Sequence, residues 1–349
     1  MKKLIAITLA LALTFTLAAC GPSGSGQPQE TTSQPQETST AGVAKKACFI
    51  TAYARGNDFI DMIWNGFTQL ESEGWTVQCI EALDSVEYEE DIRAMAGEGY
   101  DVVMLFGGEL INKGVDLADE LKETNPSLHL FMLDMNQNYE KDNITSVSVD
   151  PFESSFVAGY VAAMTSETGT VGVIMHHDTP AMLRFSEGYF AGVDYADKGT
   201  ETVTAITGDA EDVTLANEAA LTMISKYPVD IIYQVCYTAG TGVITACADK
   251  GIKAIGVDDW QGYIDDCVFW SALKPMDIAV TGVAKMYASG EKLPNCLNYN
   301  ISNGNKVYDD RDFEKLPEEL RNNVTELVDG IKDGTIDVYK NNPTSRPDF

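Results

Sequence analysis

The residues best placed to do chemistry stand just beyond the ends of apolar, strand-like runs. They are Asn57-Asp58, Phe106-Gly107-Gly108, Asp134, His176-His177-Asp178, Tyr237 to Gly242, and Asp258-Asp259-Trp260. Gly107-Gly108 and Ala239-Gly240-Thr241-Gly242 let backbone amides approach a ligand at a helix start, or serve tight turns for packing alone. Gly240 and Gly242 lack the third glycine of a dinucleotide fingerprint, and no Gly-Lys-Ser/Thr follows for a P-loop. No G-x-S-x-G or H-E-x-x-H occurs, and His176-His177 has one further histidine in the chain to join it at a metal. Pairs such as Asp258-Asp259 carry little weight as acid–base machinery in so acidic a chain. The chemistry offered is therefore recognition rather than turnover, with no metal and no cofactor expected.

The elements that would position these residues alternate between two periodicities. Strand-like runs fall at 47–53, 75–81, 101–106, 127–133, 145–149, 170–175, 201–207, 230–235, 252–257 and 268–273, with helix-length segments between most of them. In 151–166, Phe152, Phe156, Tyr160 and Met164 recur every four residues, Pro151 suits a first helical position, and Asp150 suits its N-cap. Repeated strand–helix–strand units imply right-handed crossovers and parallel sheets covered on both faces. Ten strands in 349 residues exceed one doubly wound sheet and one comfortable core, so the expected class is α/β with two Rossmann-like lobes. In such lobes ligands bind beyond the carboxyl ends of the strands, where the residues named above stand.

Charge and composition narrow the partners. With 24 Lys plus Arg against 53 Asp plus Glu, the net charge of −29 excludes nucleic acid as a main partner. Met1-Lys2-Lys3 and the uncharged run 4–19 read as an export signal, closed by Leu17-Ala18-Ala19-Cys20 and Gly21 in the manner of a bacterial lipobox. Cys20 is then the lipid-modified first mature residue, which places the protein at the cell membrane facing outside the cytoplasm. Residues 20–43 form the lipidated cysteine and a tether poor in anything to bury. Cys48, Cys79, Cys236, Cys247, Cys267 and Cys296 contain no C-x-x-C and are read as small buried hydrophobes rather than disulfides.

At the same positions the chain resembles the BMP/PnrA/TmpC-like family of ABC-importer solute-binding lipoproteins. The likeness runs over 45–339, through Glu153-Ser-Ser-Phe-Val-Ala-Gly-Tyr-Val-Ala-Ala, Arg184-Phe185-Ser-Glu-Gly188-Tyr189-Phe-Ala-Gly192 and Ala239-Gly-Thr-Gly242. It continues through Gly256-Val-Asp258, Ser271-Ala-Leu-Lys274, Leu316-Pro-Glu-Glu and Gly334-Thr-Ile-Asp-Val. The resemblance implies a type I periplasmic-binding-protein fold with a multi-crossover hinge, closing on a purine-nucleoside-like ligand and handing it to a membrane permease. The expected division is 44–149 with 272–293 in one lobe and 150–271 with 294–349 in the other.

The resemblance also implies residue roles. Phe185 is the candidate aromatic wall, unless it is only a buried helix-start residue. Asp258 matches the family's ribose-binding carboxylate. Lys274 donates to sugar or base oxygens, or snorkels from its strand end. Asn57-Asp58 reads the base edge or caps the following helix. The first loop departs from the family pattern: Thr51 is followed by Ala52-Tyr53-Ala54-Arg55-Gly56, so Phe59 stands in as the second wall, and Trp260 is large enough to reshape the pocket. Gly107, Asp134 and Gly240 complete the expected ligand set. The protein is expected to be monomeric and not an enzyme. A surface sensor signalling to a membrane partner, or a binder of riboflavin or a free base, is the alternative.

Overall fold

The computed structural model describes residues 45–340. The signal over 1–19, the lipidation at Cys20 and the tether to residue 43 lie outside the described residues. From Lys46 the chain runs β1 (Lys46–Thr51), α1 (Asp58–Ser72), β2 (Thr76–Glu81), α2 (Tyr88–Gly97), β3 (Val102–Phe106), α3 (Gly108–Thr124), β4 (His129–Leu133) and β5 (Ile144–Val149). It then enters a second layer through α4 (Pro151–Thr165), β6 (Thr170–Met175), α5 (Pro180–Tyr195), β7 (Glu201–Ile206), α6 (Val213–Lys226), β8 (Ile231–Val235), α7 (Gly240–Lys250), β9 (Lys253–Asp258) and β10 (Val268–Leu273). Finally come α8 (Met276–Ser289), β11 (Cys296–Tyr299), α9 (Asp310–Phe313) and α10 (Glu318–Lys332).

The strands form two parallel sheets, in the orders β11-β5-β4-β3-β1-β2 and β10-β9-β8-β6-β7. Residues such as Phe49, Met104 and Phe131 are fully buried, the near-continuous apolar filling that a sheet covered on both faces requires. The chain crosses between layers after Val149, after Leu273 and after Tyr299, which makes a three-segment hinge. This corrects the boundaries expected from sequence. Ala272 and Leu273 pair with Val257 and Asp258 of the second sheet, whereas the expected boundary puts them in the first lobe. Strand β11 pairs with β5 through Asn298 opposite Ser148, so it lies in the first sheet rather than in the lobe expected for 294–349.

Local sequence chemistry fixes the helices that matter to the cleft. The Asn57 side chain caps α1, accepting from the Phe59 and Ile60 amides at 3.0 and 3.4 Å. Asp150 caps α4 by accepting from the Phe152 amide at 3.1 Å, with Pro151 in its first turn. Helices α4 and α5 cross so closely that a Cβ on Gly192 would lie 1.9 Å from the Phe156 carbonyl oxygen. The landmark glycine of α5 therefore sets how Phe185, earlier on the same helix, is carried into the cleft. All six cysteines among the described residues are free, three of them buried.

Candidate functional site

The carboxyl ends of both sheets face one cleft, and within it lies a cavity of about 340 Å³. Its first-lobe side carries Tyr53, Phe59 and Phe106, with the Phe106 centroid 5.5 Å from that of Tyr53 and 5.6 Å from that of Phe59. The second lobe contributes Phe185, Met182 and Tyr237. Lys274, in the hinge, holds its ammonium 5.1 Å from the Phe59 centroid and 5.8 Å from that of Phe185. Two aromatic rings, 7% exposed at Phe59 and 3% at Phe185, thus flank one fixed cation at the cavity wall.

The charges converge on the same point. Lys274 is 7% exposed, and its Nζ pairs with Asp134 Oδ1 at 2.7 Å. Burial alone would lower the ammonium's pKa, but Asp134 and Asp258 outweigh it and hold the group protonated. Burial pushes the Asp258 carboxyl up to about 6, against the opposing pull of Lys274, with the Asp134 charge adding to the rise. Asp258 lines the cavity, and its Oδ1 is buried with no hydrogen-bond partner among the described residues. Three residues that line the cavity at strand ends, Asp134, Tyr237 and Asp258, hold φ of 59°, 52° and 67°. Left-handed backbone in non-glycine residues is uncommon and concentrates at functional sites.

Asn57 and Asp58 do something other than face this cavity. Asn57 Nδ2 donates to Thr238 Oγ1 at 3.0 Å, and the Tyr263 hydroxyl donates to Asp58 Oδ2 at 2.8 Å. Both bonds join the first lobe to the second at the rim of a side chamber of about 230 Å³ that adjoins the main cavity through Phe59 and Asp258. The capping alternative for Asn57 holds as well, so its amide caps with oxygen and bridges with nitrogen.

Of the residues singled out from sequence, Phe59, Asp134, Phe185, Asp258 and Lys274 share one cavity. Gly107, Gly240 and Trp260, expected among the ligand residues, line none of the cavities described. A Cβ on Gly107, at φ 126°, would meet the Ala52 Cβ at 2.6 Å, and one on Gly240 would meet Gln234 Oε1 at 1.9 Å, so both serve packing. Trp260 turns away: its Nε1 donates to Asp312 Oδ1 at 3.0 Å and its ring stacks on the Arg311 guanidinium at 3.6 Å.

Tyr53, Phe106, His176, Met182, Glu211 and Tyr237 also line the cavity and are not among the ligand residues expected from sequence. Phe106, His176 and Tyr237 stand directly at strand ends, a signal the sequence carries; Tyr53, Met182 and Glu211 arrive from loops and a helix start. The Nδ1 atoms of His176 and His177 are 2.7 Å apart, and burial followed by the His177 charge lowers the pKa of His176.

The family model for "ABC transporter substrate-binding protein PnrA-like" matches residues 44–340. The "ABC transporter nucleoside-binding protein BmpA" of Lactococcus lactis is 24% identical over 97% of this chain and 99% of that protein. "Basic membrane protein A" of Borreliella burgdorferi is 26% identical over 75% of this chain and 78% of its own length. Among solved structures, an ABC transporter solute-binding protein of Aeropyrum pernix superposes with TM-score 0.67 at 22% identity, covering 86% of this chain and 95% of that one. A transcriptional activator of comK from Bacillus halodurans gives 0.71 at 20%, covering 84% and 99%. At these identities the structural likenesses establish the fold.

Proposed function

The chain belongs to the PnrA-like family of ABC transporter substrate-binding proteins, and from that premise we propose that its cleft clamps a purine-nucleoside-like ligand and presents it to a membrane permease. The observation that carries the reading is the meeting of Phe59, Phe185, Asp134, Asp258 and Lys274 in one cavity. A purine stacked on Phe59 or Phe185 gains about 1–3 kcal/mol and tolerates exchange of one base for another. The Asp258 carboxylate at the cavity wall is an acceptor for a ribose hydroxyl, and a carboxylate accepting from a hydroxyl makes the stronger, charge-assisted kind of hydrogen bond. Lys274 donates to a ligand oxygen from a position that Asp134 holds. The name of the Lactococcus relative supports the ligand class.

Binding across two lobes favours whichever lobe arrangement lets both touch the ligand. The Asn57–Thr238 and Tyr263–Asp58 bonds support a closed arrangement that the ligand completes. Attachment to the membrane is through the acylated Cys20 of the lipobox-like sequence; no helix of the described residues is long and apolar enough to cross a membrane. Thermal denaturation with guanosine, inosine and adenosine tests the ligand assignment: a rise in melting temperature that Phe185→Ala and Asp258→Asn abolish is expected. A flat response to all three removes it.

A further inference from the structure

The cleft continues past the Lys274–Asp134 pair. A second chamber of about 410 Å³ shares Asp134, Met182, Phe185 and Lys274 with the first and extends to the hinge segments at Ser148, Asp150 and Asn298. The first chamber alone falls within the roughly 300–1,000 Å³ of ordinary ligand sites. The second is therefore space that a simple nucleoside does not need.

Its chemistry differs from that of the first. Aromatic walls give way to the aliphatic surface of Val149, Pro151, Pro180 and Ala181, set with amides, a hydroxyl and two ion pairs that cancel in charge, Lys274–Asp134 and Arg184–Asp150. Asp150 is fully engaged, accepting from the Phe152 amide, from the Arg184 guanidinium with Nε at 2.8 Å, and from the Tyr339 hydroxyl at 3.0 Å. Asn298 is 5% exposed; its Oδ1 accepts from Ser148 Oγ at 2.8 Å, while its Nδ2 has no partner among the described residues. Turning the amide over would leave the oxygen unpaired instead, so one end goes unsatisfied in either orientation. Such a group costs about 1–3 kcal/mol when left alone. An anionic ligand group would meet Asp134 and Asp150, and a cationic one would meet Lys274 and Arg184. A hydroxyl or amide, donor and acceptor at once, suits these walls best.

We propose that the hinge-side chamber is a second ligand subsite, taking a neutral hydroxyl- or amide-bearing extension of the molecule whose heterocycle occupies the first chamber. The inference rests on the nucleoside reading above. With the base between Phe59 and Phe185 and the ribose diol at Asp258, the exocyclic carbon of the sugar is the end free to carry such an extension past Lys274.

Isothermal titration of the purified full chain with adenosine, adenosine 5′-N-ethylcarboxamide and adenosine monophosphate tests this. The carboxamide is expected to bind about tenfold tighter than adenosine, the worth of one well-made hydrogen bond, and the monophosphate no tighter than adenosine. Ala181, exposed at the lip of the second chamber and absent from the first, gives the blocking variant. Ala181→Phe should erase the gain of the carboxamide and leave adenosine within about twofold, since it adds no contact to the first chamber. A carboxamide no tighter than adenosine, a preference for the monophosphate, or equal weakening of both ligands by Ala181→Phe overturns the subsite alone. Failure of all three probes to bind overturns the nucleoside reading and the subsite with it.

Discussion

Tyr263 in the second lobe donates its hydroxyl to Asp58 in the first at 2.8 Å, and both groups are exposed to solvent at the cleft rim. With Asn57–Thr238 beside it, this bond joins the lobes through two residues that resemble ligand contacts in sequence.

Removing the rim bonds should therefore change affinity without changing selectivity. An exposed hydrogen bond contributes about 0.5–1.5 kcal/mol, so Tyr263→Phe with Thr238→Val, which removes both, should weaken every ligand by the same factor, about five- to 150-fold if the two add. Titration against several nucleosides measures the factor, and small-angle scattering of the free protein should show a larger radius of gyration. A change in the rank order of ligands would place these side chains in the ligand shell instead.

Affinity should fall in mild acid. The Asp258 carboxyl titrates near 6, and a protonated group there loses its charge-assisted acceptance, so binding weakens about tenfold between pH 7 and pH 5. Stability of the free protein runs the other way. Burial also raises Glu153, whose Oε2 accepts from the Ile301 amide across the hinge, to about 7. For both groups the folded pKa exceeds the unfolded one, so the proton-linked stability is complete below about pH 4 and is lost as the pH rises through 6 and then 7. Asp258→Asn with Glu153→Gln should flatten that part of the melting curve against pH; an unchanged slope would refute the assignment.

Lys274 should be required for binding and should contribute to stability. Lys274→Met leaves Asp134 and Asp258 facing each other at the cavity wall without their cation. Asp134 keeps 29% of its side chain exposed, which tempers the cost, so a loss of about 2–3 kcal/mol in urea denaturation is expected together with loss of nucleoside binding. The double variant Lys274→Met with Asp134→Asn should recover part of the stability and none of the binding.

Trp260 supplies the contrasting case. Because it packs on Arg311 and Asp312, Trp260→Ala should lower stability by about 2–4 kcal/mol and leave nucleoside affinity within about twofold. A specific loss of affinity with unchanged melting would return the residue to the pocket.

Much of this architecture is legible in the sequence because its signals are periodic. The ten strand runs all occur, with ends shifted by two residues or fewer, and Asp150 with Pro151 announces the start of α4. The eleventh strand is not legible: Cys296–Tyr299 is four residues long with Leu and Asn side by side, and only pairing with β5 makes it a strand. The same pairing carries the third hinge segment, so the lobe boundaries cannot be placed without it. At the site, strand-end position points to Asp134 and Asp258, which line the cavity, and equally to Gly107 and Gly240, which do not, since a glycine required by a neighbouring side chain looks in sequence like one required by a ligand. For Asn57 and Asp58 the sequence leaves the role open, because a rim residue bonded across the cleft has the same polar character as one bonded to a ligand.

The most direct measurement is a crystal structure of the protein with guanosine bound. The purine plane should lie within stacking distance of Phe59 or Phe185, with a ribose hydroxyl on Asp258 and Lys274 donating to a ligand oxygen. Guanosine bound outside this cavity, or inside it with Asp258 still unpartnered, would contradict the account.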